Sequence, residues 1–173
     1  MSKLHVFVSF DIDHDQQLYE QLLAQSRTSG SGFELWGGSE RSTGTDVGSQ
    51  RVRRRIRDVD QVIVICGEHT GESTRVSAEL RIAREEGIPY FLLWGRREIM
   101  CTKPIGAEPS DGMYSWTRQI LQDQIALTFR KAEADALAEI ARDAARKRRS
   151  RLREDAARQS RASLSPRQAF RDP

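Results

Sequence analysis

In the stretch ESTRVSAELRIA, residues 72–83, Val76, Leu80 and Ala83 recur at helical spacing, so a helix starting at Ser73 or Thr74 carries them on one face. At about 100° per residue, Glu79 falls inside that apolar arc, between Ile82 on one side and Ala83 and Val76 on the other. A carboxylate resists desolvation, so its position there needs a reason. With water partly excluded, its field is strengthened. The plain alternative is a helix-surface ion pair with Arg75 at i−4, worth ~0.3 kcal/mol, and the periodicity leaves both readings open. Other chemistry-bearing residues are sparse. His5, His14 and His69 are scattered, and neither they nor Cys66 and Cys101 have the spacing of a metal site.

Alternating apolar segments must position Glu79. KLHVFVSF (3–10) is a β-rich run ending in the acidic loop DIDHD, and residues 14–27 follow with Leu18, Leu22 and Leu23 at helical spacing. FELW (33–36) is a short strand, and the Gly- and Ser-rich segment 37–50 reads as a long mobile loop. RVRRRIRDV carries Val52, Ile56 and Val59 at i, i+4, i+7, an amphipathic helix with a basic outer face. QVIVIC (61–66) and YFLLW (90–94) are buried strands flanking the Glu79 helix, and a loop of about twenty residues precedes a helix beginning near Ser115–Trp116. In that last helix Ile120, Leu121, Ile125 and Leu127 can pack on a sheet, anchored by Trp116, while Trp36 and Trp94 read as packing residues. This pattern predicts an α/β fold with a doubly wound parallel sheet, whose ligands bind at the carboxyl ends of the strands.

Residues 130–173 hold 13 Lys and Arg against 7 Asp and Glu, a net of +6, which leaves −3 for residues 1–129 of the chain total of +3. The expected organisation is a domain over 1–129 and a basic, Ala/Arg-rich helical tail over 130–173, partly disordered because it has little apolar surface to bury. Acids interspersed among the tail's arginines, with Phe170 its one aromatic, argue for a solvated arm rather than nucleic-acid binding. The basic stripe 51–57 reads either as an interaction surface or as a solvated helix face. Two cysteines and an N-terminus that enters directly into a strand point to the cytoplasm, and no apolar run is long enough to span a membrane. No G-x-G-x-x-G, Walker or G-x-S-x-G motif is present, nor the Asp and Lys of a phosphoacceptor receiver.

The order of residues nevertheless resembles the TIR-like domain family that includes the Thoeris antiphage TIR-like subunit. A first strand ends in Ser9-Phe10 before an acidic loop, and a third strand is followed by Gly67 and Thr70. A helix then carries Ser73, Val76, Glu79, Leu80 and Ala83, ahead of a Gly-Ile-Pro turn. The similarity covers roughly residues 3–127. Arg75 stands where the family has an aromatic.

The resemblance implies a flavodoxin-like, TIR-like fold, to which the sequence pattern adds an extended C-terminal helix, and cleavage of the nicotinamide–ribose bond of NAD with Glu79 as the catalytic carboxylate. NAD would be the substrate, with no cofactor and no metal. Ser9, Phe10, Asp11, Ser39 and Arg75 are the implied binding residues. Phe10 would stack on nicotinamide or simply be core, and Asp11 would hold a ribose or cap the next helix. Ser39 would lie on a loop covering the pocket or on a plain flexible one, and Arg75 would be an ion-pair partner or a pocket wall. Implied partners are a second copy of the chain and an effector that senses the product, with neither nucleic acid nor membrane. The rivals are a non-catalytic TIR-like assembly module, using helix 51–58 and the tail, and a flavodoxin-like nucleotide binder without turnover.

Overall fold

The computed structural model describes residues 3–41 and 46–162. Its elements run β1 (Leu4–Ser9), α1 (Gln16–Ser26), β2 (Phe33–Gly38), α2 (Asp46–Arg57), β3 (Gln61–Cys66), α3 (Thr74–Glu85), β4 (Tyr90–Trp94), β5 (Met113–Ser115) and α4 (Arg118–Ala162). The strands form one sheet in the order β2-β1-β3-β4-β5, every adjacent pair parallel. This is the doubly wound α/β sheet expected from the sequence. By contact the chain divides into two units, residues 1–129 and 130–173.

Side-chain alternation sorts the core into two layers. Val6, Val8, Phe10, Ile63, Ile65, Phe91 and Leu93 face α1 and the first turns of α4, meeting Leu18, Leu22, Leu121 and Ile125. Phe7, Val62, Val64, Cys66 and Leu92 face the opposite way, onto Ile56 of α2 and Val76, Leu80, Ile82 and Ala83 of α3. Both faces of the central strands are therefore covered, which is why β3 is apolar throughout.

Several local expectations change. β2 continues through Gly38, two residues beyond the expected strand, and α2 begins at Asp46, five residues before the expected helix, so both elements reach into the segment 37–50 read as one loop; the expected mobility of that loop falls partly on 42–45, outside the described residues. The long loop after β4 ends in a short fifth strand, and it is tied down rather than loose. Thr102 donates its N–H to Gly67 O at 2.9 Å and its hydroxyl to Glu68 O at 3.0 Å, while Ser77 Oγ accepts from the Ile105 N–H at 3.1 Å. Leu127 is exposed, whereas Leu121 and Ile125 are buried as expected. Trp116 anchors the start of α4 by donating to Gln25 Oε1 at 2.8 Å. Trp36 is not a packing residue: it is 57% exposed and stacks on His5, ring centroids 4.0 Å apart.

Residues 118–162 contain neither Gly nor Pro, and α4 runs through them without a break. The fraying expected of the tail falls on 163–173, outside the described residues. Among the described residues no helix is long and apolar enough to cross a membrane. Both cysteines are free and buried, and burial pushes the Cys66 thiol up to about 12.

The basic outer face of α2 has a structural use. Arg53 pairs with Glu85 and with Glu86, the latter at 2.5 Å, and Arg57 meets Glu86 at 2.9 Å. The two guanidiniums hold the Glu86 carboxyl down to about 2. The stripe thus docks α2 onto the end of α3.

At the carboxyl edge of the sheet, Gly67 allows a close approach. A Cβ there would overlap Asp15 Oδ2, in a carboxylate that is 2% exposed. Gly67→Ala should therefore lower stability by about 1–3 kcal/mol, as overpacking does, in denaturant titrations. Asp15→Ala in the same chain should recover most of the loss, because it removes the atoms in conflict. An alanine tolerated without loss would refute the close packing.

Candidate functional site

The Ser73 side chain starts α3, its Oγ accepting the Val76 N–H at 3.4 Å with the residue in extended backbone. From that start, Glu79 lies one residue before Leu80 on the face against the sheet. It is 2% exposed, inside the apolar stripe as the periodicity places it. Ser9 and Ser39 both donate their hydroxyls to Glu79 Oε2, each at 2.5 Å. Ser39 Oγ in turn accepts the Phe10 N–H at 3.0 Å. Glu79 Oε1 is buried without a partner.

Strand geometry explains how the two serines arrive. Ser9 follows Phe7 by two residues, so it points to the same side of the sheet as Phe7, toward α3. Ser39 would point the other way if β2 were regular. The pairing of β1 with β2 slips between Val6 and Phe7, Leu35 facing Val6 and Gly37 facing Phe7, which leaves Trp36 as an extra residue. Such a bulge reverses the alternation beyond it. The glycines record the reversal. A Cβ on Gly37 would lie 3.1 Å from the Phe7 ring on the α3 side, and one on Gly38 would lie 2.8 Å from the Tyr19 ring on the α1 side. Ser39, the next residue, therefore returns to the α3 side.

A cavity of about 340 Å3 adjoins the carboxylate, lined by Glu79, Arg75, Thr74, Glu40, Val52 and Ile82 among others. Burial pushes the Glu79 carboxyl up to about 7. The Ser39 and Ser9 hydroxyls, and then Arg75 and Arg55, pull it the other way. Glu40, the other carboxylate on the cavity, is paired with Arg55 at 2.5 Å. A larger cavity of about 610 Å3 lies between α1 and the loop after β4, but its one carboxylate, Glu98, is exposed. Among the described residues no group of three His, Cys, Asp or Glu side chains is placed to hold a metal ion.

Of the six residues singled out by sequence, Glu79, Ser9, Ser39 and Arg75 come together. Phe10 and Asp11 do not join them. Phe10 follows Ser9 and so points to the opposite layer, where it is 2% exposed and stacks on Tyr19 with centroids 4.7 Å apart. Asp11 accepts from His14 Nδ1 at 2.9 Å and from the Asp13 N–H at 3.1 Å. It holds the turn into α1, whose N-cap position is Asp15. That bond raises the His14 pKa, and the His14 ring lies 4.1 Å from that of His69. Arg75 makes no ion pair with Glu79. Glu40 and Arg55 were not singled out by sequence, since neither has a spacing that marks it.

Residues 7–96 match the family model described as Thoeris protein ThsB, TIR-like domain. The chain belongs to this Thoeris TIR-like family. The matched segment contains Ser9, Ser39, Arg75 and Glu79, so the converging residues all lie within it. No curated protein matches the chain. Among solved structures it is similar to the TIR domains of the activated Roq1 resistosome directly recognizing the pathogen effector XopQ, at 17% identity. That match covers 94% of this chain and 86% of the other, with a TM-score of 0.37.

The raised Glu79 pKa has a defined consequence for this TIR-like domain. Between pH 4.5, the usual carboxyl value, and about 7, the folded chain binds a proton that the unfolded chain has released. The stability due to Glu79 therefore falls as pH rises through that window and levels above it, a penalty on the order of 3 kcal/mol. Glu79→Gln should stabilise the protein at pH 8 and leave it nearly unchanged at pH 4, in denaturant titrations at both values. Ser39→Ala should move the carboxyl titration upward, seen by NMR of labelled Glu side chains. An equal effect of Glu79→Gln at both pH values would mean that the carboxyl does not titrate there.

Proposed function

We propose that this TIR-like domain cleaves the nicotinamide–ribose bond of NAD in the cytoplasm. The product would be ADP-ribose or a cyclic ADP-ribose-type signal, sensed by a partner effector in antiphage defence, and the active form would be a self-assembly of the chain. One observation carries the reading. A buried carboxylate in register with the family pattern has one oxygen clamped by two hydroxyls, the other unpartnered, and a cavity beside it.

The chemistry needs little more. When the C–N bond breaks, its electron pair goes to the nicotinamide nitrogen, which changes from cationic pyridinium to a neutral leaving group. No general acid is required, and the cavity provides none that is free, because Glu40 is committed to Arg55. Positive charge develops instead on the ribose, and Glu79 supplies the fixed anion that stabilises it. Ser9 and Ser39 restrain the carboxylate in one orientation, so little reorganisation is needed as the charge appears. Water then adds to the anomeric carbon and loses its proton, giving ADP-ribose; a nucleophile within the substrate taking the place of water gives a cyclic product. A bound pyridinium beside Glu79 also favours the ionised carboxyl, offsetting the burial that raises its pKa.

The assembly-only rival loses part of its proposed surface, since Arg53 and Arg57 of α2 are engaged with Glu85 and Glu86 of the same chain.

Incubating the concentrated protein with NAD should release nicotinamide, with a rate that rises through about pH 7 and is flat above, as expected of an essential carboxylate. Glu79→Gln should reduce turnover about 10²–10³-fold or more while the circular dichroism spectrum is unchanged. Absence of nicotinamide release at every pH and protein concentration would reject the enzyme reading.

A further inference from the structure

Arg75 occupies a singular electrostatic position. Five arginines of α2 and α3 are engaged, Arg53 and Arg57 with Glu86, Arg55 with Glu40, Arg81 with Glu85, and Arg84 with Glu108, while Arg51 and Arg54 are exposed. Arg75 is half-buried on the wall of the Glu79 cavity, and among the described residues it makes no hydrogen bond or ion pair. It is also the second residue of a twelve-residue helix. There the backbone N–H groups of Thr74 and Arg75 have no acceptor within the helix, whereas those of Val76 and Ser77 are taken by Ser73. The Thr74 side chain lines the same cavity. An uncommitted guanidinium, free N–H groups and the positive end of a helix thus share one corner.

The second, independent observation is Glu79 itself, which lines the same cavity, is 2% exposed and has a buried oxygen without a partner. Glu79 stands four residues after Arg75, and four residues rise about 6 Å along a helix. That is the scale separating the anomeric carbon of a ribose from its 5′-phosphate. With Glu40 and Arg55 neutralising each other, the cavity presents an anion and, one turn away, a cation. A pyridine nucleotide presents the complementary order, a cationic ring on the anomeric carbon and an anionic phosphate one turn away. The volume of about 340 Å3 is at the lower end of the range for ligand cavities, which suits a mononucleotide half better than a whole dinucleotide.

We infer that Arg75 is a specificity-determining residue that pairs with the 5′-phosphate of the nucleotide whose ribose lies at Glu79, so that the cavity selects phosphorylated pyridine nucleotides over the bare nucleoside. The inference rests on the proposed NAD chemistry and gives the substituted family position its own role. Arg75 contacts a part of the substrate that does not react, so its contribution is to binding before it is to the chemical step.

The test compares NAD, nicotinamide mononucleotide and nicotinamide riboside, which share the scissile bond and differ in phosphate. The wild-type protein should show kcat/KM at least about tenfold lower for the riboside, the scale of one charged contact. Arg75→Ala should erase that preference through KM, leaving kcat less affected, and Arg75→Lys should retain part of it. Equal use of riboside and nucleotides by the wild type, or an unchanged KM for NAD in Arg75→Ala, overturns the assignment while leaving NAD cleavage intact. Calorimetric titration with ADP-ribose and with ribose separates the two failures, because it needs no turnover. ADP-ribose should bind the wild type and Glu79→Gln but bind Arg75→Ala at least about tenfold more weakly. If ADP-ribose fails to bind the wild type, or binds Arg75→Ala equally well, the phosphate contact is wrong whether or not NAD is cleaved.

Discussion

A carboxylate with almost no solvent access has to be held by something, and the hydrogen bonds from Ser9 and Ser39 to Glu79 are what hold it. Each such bond to an ionised group is worth about 1.5–3 kcal/mol, whereas burying an unpaired charge costs several kcal/mol. The balance is incomplete, and the carboxyl stays raised to about 7. Much of the local architecture serves those two bonds. The end of β1 must deliver Ser9 to the α3 side, the bulge at Trp36 must return Ser39 to it, and the Ser73 cap must start α3 in the register that buries Glu79. The residual cost leaves the group pre-oriented and poorly solvated, the condition in which a nearby positive charge has its largest effect.

The helix that carries this group is fixed from outside the core as well. Exposed ion pairs contribute little one at a time, but Arg53 and Arg57 converge on Glu86, and Ile56 packs beneath them. Arg55, between them in sequence, turns toward the site instead, pairing with Glu40 and lying 5.9 Å above the Phe7 ring. A helix that looks uniformly basic in sequence is therefore divided in function. Two arginines clamp α3, and one neutralises the second carboxylate of the cavity.

What was legible in the sequence follows from which interactions are local. The parallel sheet, the strands at 61–66 and 90–94, the α3 start and the anomalous burial of Glu79 all arise from patterns within a dozen residues, and periodicity exposes them. Ser39 could be named by resemblance to a family, but its arrival at Glu79 depends on a bulge in a strand pairing that periodicity does not encode. Its one trace is the Gly37-Gly38 pair within a strand. Phe10 and Asp11 illustrate the opposite case. Alternation requires Phe10 to leave the side that Ser9 occupies, so the strand pattern already separated them, and grouping them by chain proximity obscured it. β5 has three residues and a sheet partner distant in sequence, too short for any pattern to register.

The molecule also contains a control for the claim that a buried, incompletely satisfied carboxylate marks a site. Asp15 is 2% exposed, has an unpartnered Oδ2 and a pKa raised by burial and by Asp11, much as Glu79 is perturbed. It too lies at the carboxyl edge of the sheet. The difference is space. Asp15 is packed so closely against Gly67 that a single methyl group would not fit, and it does not line the cavity beside α1. Glu79 borders a cavity large enough for a ribose and its neighbours. Perturbed ionisation alone therefore does not distinguish the two groups. Room for a cation beside the carboxylate does, and that criterion selects Glu79.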